Sequence, residues 1–79
     1  MSPTIFRHKG YRFFFFSREE TRMHVHVSCE EGEVKFRLEP NVTLAENHGL
    51  TKKQLNEVEK ITREYRDEII THWKTHFSR

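Results

Sequence analysis

The feature that most constrains the fold of this chain is a run of four consecutive phenylalanines at positions 13–16. Four residues are too few to span a membrane, because a spanning helix needs about 20 apolar residues. Successive side chains of a β-strand point to opposite faces of a sheet, so a strand through this run has rings on both faces. The run therefore predicts a strand in which one pair of rings meets a core and the other pair lies on the opposite face.

Aromatic residues also decide whether so short a chain can build a core. With 79 residues, the chain is near the lower size limit for a domain that folds without help. Only 34% of the residues are hydrophobic, but they include seven Phe, two Tyr and one Trp. Each buried ring removes about 150–250 Å² from water. We expect a single α+β domain over residues 1–79, with a core built mainly from rings.

The first 40 residues predict two β-hairpins. In the first, β-branched and aromatic residues at 4–7 and 11–16 flank His8, Lys9 and Gly10, which fits either a two-residue or a three-residue loop. In the second, apolar and polar residues alternate over 23–29 and 33–38, which is typical of half-buried strands. Pro40 should end the fourth strand, because proline cannot donate a hydrogen bond to the ladder.

The register of the second hairpin follows from its turn. A two-residue turn at Glu31-Gly32 would keep the apolar side chains on one face, whereas a three-residue loop would mix the two faces. That turn pairs residue 29 with 34, 27 with 36 and 25 with 38. It also places His26 opposite Arg37 and Ser28 opposite Lys35.

The second half of the chain predicts one long helix. Residues 41–49 read as a connection that holds a helical turn at 44–46. Thr51 is expected to cap the helix, and Gln54 three residues later completes a capping box. A mostly apolar stripe then recurs at steps of three and four: Leu55, Val58, Ile61 or Thr62, Tyr65, Ile69, Trp73 and Phe77. The predicted fold is an antiparallel four-stranded meander of two hairpins, packed against one long C-terminal helix.

The sequence also indicates where in the cell the protein is located and which kinds of chemistry it can carry out. Cys29 is the single cysteine, so the chain has no internal disulfide. The N-terminal Met-Ser-Pro-Thr lacks the charged and then apolar pattern of a signal peptide, which favours a cytoplasmic protein that does not enter a membrane. Neither a glycine-rich phosphate loop nor a nucleophile elbow occurs, and we expect no cofactor.

We predict that the sheet face turned away from the helix is the functional surface. In the first half of the chain, lysines and arginines lie within the predicted strands, while most of the aspartates and glutamates lie in the predicted turns. Contiguous exposed rings usually mark a partner site. Whether Phe13 or Phe14 points outward stays open at this point. The predicted binding residues are Arg12, Phe13, Phe14, His24, His26, Lys35 and Arg37.

Three interpretations of that face remain, in order of preference. Rings beside arginine are typical of protein interfaces, so the partner would be a small protein or a second copy of the chain. Alternatively, the rings only fill the end of the sheet beneath residues 41–49. Rings interleaved with bases also resemble a stacking platform for single-stranded RNA or DNA.

Two histidines on one strand suggest two more specific hypotheses. His24 and His26 point to the same face and could chelate a metal, but a third ligand is needed, and His48, Glu39 and His8 qualify by position alone. We therefore expect no metal. The pair could instead exchange protons in the cleavage of RNA through its 2′-hydroxyl, with Arg37 stabilising the phosphate. His24, His26 and Arg37 are thus the candidate catalytic residues of a nuclease-like alternative.

The order of several segments resembles a family of small bacterial proteins, the domain of unknown function 4160 family. The matching segments are TIFR at 4–7, GYRFFFFS at 10–17, HVHV at 24–27, KFRLEP at 35–40, LAEN at 44–47 and GL at 49–50. Members typically carry a Pro-Pro pair before the HVHV segment, where this chain has Arg22-Met23, so that loop should be less rigid here.

This resemblance implies a partner rather than a reaction. Members are often encoded beside a second small family, in arrangements like those of bacterial toxin–antitoxin pairs. The resemblance therefore favours a small partner protein and, more weakly, an RNA or DNA target, as for a nucleic-acid-binding regulator. It implies no catalytic residue.

Overall fold

The computed structural model describes residues 4–15 and 23–77, without the side chain of Phe77. The predictions made for Phe16, for the loop at 17–22 and for the Phe77 ring lie outside the described residues. The described elements are β1 (Thr4–His8), β2 (Tyr11–Phe14), β3 (His24–Cys29), β4 (Gly32–Arg37), β5 (Thr43–His48), α1 (Lys52–Glu64) and α2 (Arg66–Phe77).

The strands form one antiparallel sheet in the order β1-β2-β3-β4-β5. Side chains from one face of this sheet form a hydrophobic core with the two helices, which confirms the α+β class and the antiparallel meander. The predicted number of strands was wrong, because the described part of the chain contains a fifth. The buried core consists of Tyr11, Phe13, Phe15, Val25, Val27, Val34, Phe36, Leu38, Val42, Leu50, Val58, Ile61, Ile69 and Trp73.

The first hairpin closes with a two-residue loop. His8 is opposite Tyr11, which leaves Lys9 and Gly10 as the loop residues. Both have positive φ, 52° and 82° respectively, as a type I′ turn requires. The shorter of the two loops that the sequence allowed is therefore the one adopted.

The second hairpin uses a different turn from the predicted one. Its loop residues are Glu30 and Glu31, and Cys29 is opposite Gly32. The predicted register was thus wrong by two residues. Because the side-chain period of a strand is two, this shift leaves every side chain on its predicted face but changes its cross-strand neighbour.

Gly32 is required because β4 and β5 come very close together there, and not because it forms a turn. A Cβ atom built on Gly32 would collide with the carbonyl oxygen of His48, at the end of β5. No side chain fits there, so glycine is required inside the strand. The sequence suggested a turn because glycine is also the commonest turn residue.

Residues 43–48 form a strand instead of the predicted connection with a helical turn. Thr43 is opposite Arg37 and Leu44 is opposite Phe36, with a register shift at Ala45. A strand here satisfies the backbone groups along the edge of β4, which a single helical turn could not do. Gly49, with φ of 110°, then redirects the chain towards α1.

The helical region begins as predicted but is divided in two. The Thr51 hydroxyl accepts a hydrogen bond from the backbone N–H of Gln54 at 3.2 Å, and the Gln54 side chain accepts one from the N–H of Thr51 at 2.9 Å. The predicted single helix was wrong, because Tyr65 leaves helical geometry at φ −105° and ψ 16°. Sheet contacts flank this break: the Tyr65 ring packs on Phe6, and Arg66 Nε donates to the carbonyl oxygen of Leu38.

The second hairpin is also tied to the start of α1. Gln54 Nε2 donates to Glu31 Oε1 at 3.1 Å, and the Cys29 thiol lies 3.4 Å from the same oxygen. The hydrogen bonds from Cys29 and Gln54 lower the pKa of the Glu31 carboxyl. In the described part of the chain, no helix is long and apolar enough to cross a membrane.

Candidate functional site on the outer face of the sheet

The strand register determines which side chains share the sheet face opposite the one that carries Val25, Val27, Val34 and Phe36, here called the outer face. Residues directly opposite each other on antiparallel strands point to the same side. One row across the sheet runs Phe14, His26, Lys35 and Glu46, and a second runs Arg7, Arg12, Ser28, Glu33 and His48. A third row contains His24, Arg37 and Thr43. The outer face therefore gathers histidines, bases and one ring.

Phe14 and its neighbours form a stack on this face. The Phe14 ring stacks on the His26 imidazole, with centroids 5.4 Å apart and planes inclined by 24°. The Arg12 guanidinium carbon lies 4.5 Å from the Phe14 centroid, and Arg12 Nε donates to the Thr4 hydroxyl at 2.7 Å. A cation over a ring contributes about 0.5–1 kcal/mol at an exposed site. Arg12 is therefore held in place by both contacts.

The two histidines continue this stack towards α2. His24 and His26 meet edge to face at 5.3 Å, and His24 meets Trp73 at 5.2 Å. Trp73 also packs edge to face on Phe15, at 5.2 Å. We call Phe14, Phe15, His24, His26 and Trp73 the histidine–aromatic cluster. It joins the sheet to α2 at the end where β2 finishes and β3 begins.

A carboxylate approaches the cluster from β4. His26 Nδ1 lies 3.3 Å from Glu33 Oε2. The side chains of His26 and Glu33 are therefore in contact on the outer face.

The histidine–aromatic cluster is closed to solvent. Exposure is 3% for Phe14, 2% for His24 and 7% for His26. A substrate phosphodiester would have to reach the imidazoles through packed rings, so this geometry gives general acid–base catalysis little support. Among the described residues, no three His, Cys, Asp or Glu side chains come together in a way that could hold a metal ion.

Three basic residues of the outer face form no ion pair with any other described residue. Arg7 and Arg37 are exposed and Lys35 is half-buried. Within residues 4–15 and 23–77, none of the three has a carboxylate within 4.0 Å. The acids of this face, Glu33 and Glu46, contact His26 and His48 instead.

The carboxylate of Glu46 interacts with two positively charged or hydrogen-bonding neighbours on this face. His48 Nε2 lies 3.1 Å from Glu46 Oε1. The hydrogen bond from His48, reinforced by the positive charge of Lys35, lowers the pKa of the Glu46 carboxyl. Both acids of the face are thus held by histidines, and Arg7, Lys35 and Arg37 give it an excess of positive charge.

The structure brings six of the seven predicted binding residues onto the outer face, and Phe13 is the exception. Phe13 has no exposed surface and stacks on Phe6 at 4.6 Å inside the core. Phe14 is the ring that points outward, but it is covered, so the predicted exposed aromatic patch was wrong for the described rings. The bases remain accessible because their long side chains extend past the buried rings.

The cross-strand neighbours of the candidate catalytic residues also differ from the predicted ones. Arg37 is opposite His24, and His26 is opposite Lys35. Both differences follow from the two-residue register shift of the second hairpin. Of the proposed third metal ligands, His8 lies on the opposite face beside Tyr65, and His48 pairs with Glu46.

Two important residues of this region were missed from the sequence. Glu33 alternates with Lys35 along β4, so its place on the outer face could have been read from the strand pattern. Its contact with His26 depends on the true register and could not. Trp73 was assigned to the core, but nothing local in the sequence indicates that it reaches His24, 49 positions earlier.

A comparison with models of protein families identifies a related family. The family model described as "Domain of unknown function (DUF4160)" matches residues 10–74. This span starts in the first hairpin loop, ends within α2 and includes every predicted site residue. No curated protein matches the chain significantly. No solved structure does so either.

Proposed function

This chain belongs to the domain of unknown function 4160 (DUF4160) family, and we propose that it is a binding domain, one member of a two-protein, toxin–antitoxin-like bacterial module. Its outer face holds an acidic surface of a small partner protein. The bases Arg7, Arg12, Lys35 and Arg37 make the contacts.

The observation that carries this proposal is the excess of basic side chains on the outer face that have no ion-pair partner among the described residues. Arg7, Lys35 and Arg37 have no carboxylate within ion-pair distance among the described residues. Complementary charge steers association and selects among partners. Arginine is also enriched at interface hot spots.

Three members of the histidine–aromatic cluster, Phe14, His24 and His26, lie on the same face as these basic residues. The rings of the cluster are buried, so the nucleobases of an RNA cannot stack on them. They hold Arg12 over Phe14 and fix the strands that carry Lys35 and Arg37. Their role in this proposal is to position the bases.

Charge reversal tests the proposal. The double substitution Lys35→Glu and Arg37→Glu should weaken binding of the small protein encoded beside this chain by roughly ten- to thirtyfold, since each lost pair contributes up to about 1 kcal/mol. Binding is measured by calorimetry with both proteins purified. The matched control, Lys52→Glu with Lys60→Glu, reverses two exposed charges on α1 and should leave the affinity unchanged.

Three results would contradict the proposal. Equal affinity for the wild type and the outer-face variant excludes the bases from the interface. Cleavage of RNA by the purified chain, lost on combining His24→Ala and His26→Ala, would establish the nuclease-like alternative. Tight RNA binding that falls steeply with salt would indicate phosphate contacts and a nucleic-acid-binding regulator.

A further inference from the structure

β5 is an open edge of the sheet. It is hydrogen-bonded to β4 on one side, and no other described strand pairs with it. All six of its residues are exposed. The opposite edge strand, β1, is partly sheltered, because His72 and His76 of α2 line a cavity of about 190 Å³ together with Thr4 and Ile5. An exposed edge strand presents unpaired backbone groups that can pair with another strand.

The strand is already held in the shape that such pairing needs. Asn47 Nδ2 donates to the carbonyl oxygen of Leu50, and the N–H of Leu50 donates to Asn47 Oδ1, both at 3.1 Å. At the other end, Arg63 donates to the carbonyl oxygen of Val42 at 3.4 Å. A preordered strand loses little conformational entropy on binding.

β5 also carries an unusual apolar side chain. Leu44 is 43% exposed, and it is the one exposed large hydrophobic residue in the described part of the chain. It lies opposite Phe36, on the helix side of the sheet, where neither helix covers it. Its neighbour Ala45 is small enough to leave room for a leucine from another strand.

The charges beside β5 complement each other. Arg37 is exposed and directly opposite Thr43. Glu46 lies on the same face as Arg37, because the register shift at Ala45 brings it opposite Lys35. Its Oε1 contacts His48, which leaves Oε2 to accept from a base on a neighbouring chain.

We propose that a second copy of this chain pairs its β5 antiparallel with this edge, with Thr43 of each copy beside Glu46 of the other. The two-fold axis then stands perpendicular to the sheet and brings Leu44 beside Ala45 of the second copy. Arg37 is two strands, or about 10 Å, from Glu46 of the second copy, a gap that an extended arginine and a glutamate bridge. The same contacts form twice.

The proposal names a second copy because the edge is complementary to itself. Each copy supplies both the base and the acid, and each covers the Leu44 of the other. The product is a continuous ten-stranded sheet with both outer faces on one side. Both proposals use Arg37, but the pairing is tested on the purified chain alone, so its failure would leave the proposed partner protein untouched.

Sedimentation velocity of the purified chain over a micromolar concentration series tests the pairing. The mass should rise with concentration towards twice the 9.7 kDa of one chain. Leu44→Lys and Glu46→Lys should each weaken the dimer by roughly tenfold, because each removes two symmetry-related cross-strand contacts. Glu30→Lys, in the exposed hairpin turn, is the control and should leave the dimer unchanged. Circular dichroism confirms that each variant is folded.

A charge swap distinguishes the proposed register from any other contact. Arg37→Glu should weaken the dimer, and adding Glu46→Lys in the same chain should restore it. A chain that stays monomeric throughout, as expected if β5 pairs only with a strand of another protein, overturns the proposal. So does a dimer that tolerates Leu44→Lys, or one that the charge swap fails to restore.

Discussion

At the scale of single residues, glycine has two separate roles in this chain. Gly10 supplies a positive φ to a hairpin loop, and nothing lies within 4 Å of a Cβ built on it. Gly32 lies within a strand, and its missing side chain leaves space for the carbonyl oxygen of His48. The two roles look alike in the sequence, because each glycine follows a charged residue at the end of a hairpin.

This difference predicts two different costs of substitution. Gly32→Ala should lower the free energy of unfolding by at least about 3 kcal/mol, because β4 and β5 must separate to admit a methyl group. Gly10→Ala should cost about 1–2 kcal/mol, the ordinary penalty of a left-handed conformation. Urea unfolding followed by circular dichroism measures both. A Gly32→Ala protein as stable as Gly10→Ala would show that the strands are not in close contact there.

At the scale of elements, one hydrogen bond joins β2 to α1. The Tyr11 hydroxyl donates to Glu57 Oε1 at 3.0 Å. Burial of the ring, followed by this hydrogen bond and the charge of Glu57, raises the pKa of Tyr11 from 10.0 to about 12. The unfolded chain therefore releases the tyrosine proton at a lower pH than the folded chain does.

The sign of the resulting pH dependence is definite. The contribution of Tyr11 to stability is fully present below about pH 10 and is lost as the pH rises towards 12. Tyr11→Phe should cost roughly 1.5 kcal/mol at neutral pH. It should also flatten the decline between pH 10 and 12 in urea unfolding. Tyr65→Phe, which leaves Tyr11 and Glu57 in place, is the control and should keep the wild-type decline. Equal slopes for wild type and Tyr11→Phe would contradict the assignment.

At the scale of the whole molecule, the histidine–aromatic cluster connects α2 to the sheet. Trp73 packs on both His24 and Phe15, and it belongs to the same buried core as β3 and β4. The chain has one tryptophan, so its fluorescence reports on this junction. A shared core implies that α2 and the sheet unfold together.

Unfolding curves from tryptophan fluorescence and from circular dichroism should therefore coincide in urea. Phe15→Leu loosens the packing against Trp73 and should shift both curves together, by about 1 kcal/mol. If fluorescence changes at a lower urea concentration than circular dichroism, α2 detaches first and the junction is not part of the common core.

Local pattern in the sequence was enough to predict much of this molecule. Alternation over 23–38 assigned each side chain to the correct face, because the strand period is two whatever the register. The capping box at Thr51 and the apolar stripe beyond it located the helical region. Six of the seven predicted binding residues share the outer face for the same reason.

Only the tertiary structure decided the remaining features, because they depend on contacts between residues distant in the chain. The close approach of Gly32 to His48 selects the hairpin register, and the open edge of β4 makes a strand of residues 43–48. Packing of Tyr65 on Phe6 accompanies the break between the helices. Burial of Phe14 beneath Arg12, in a cluster anchored by Trp73, turns an expected aromatic surface into a cationic one. The periodicity of a strand or helix shows which side chains share a face, whereas burial and register depend on the elements that pack against that face.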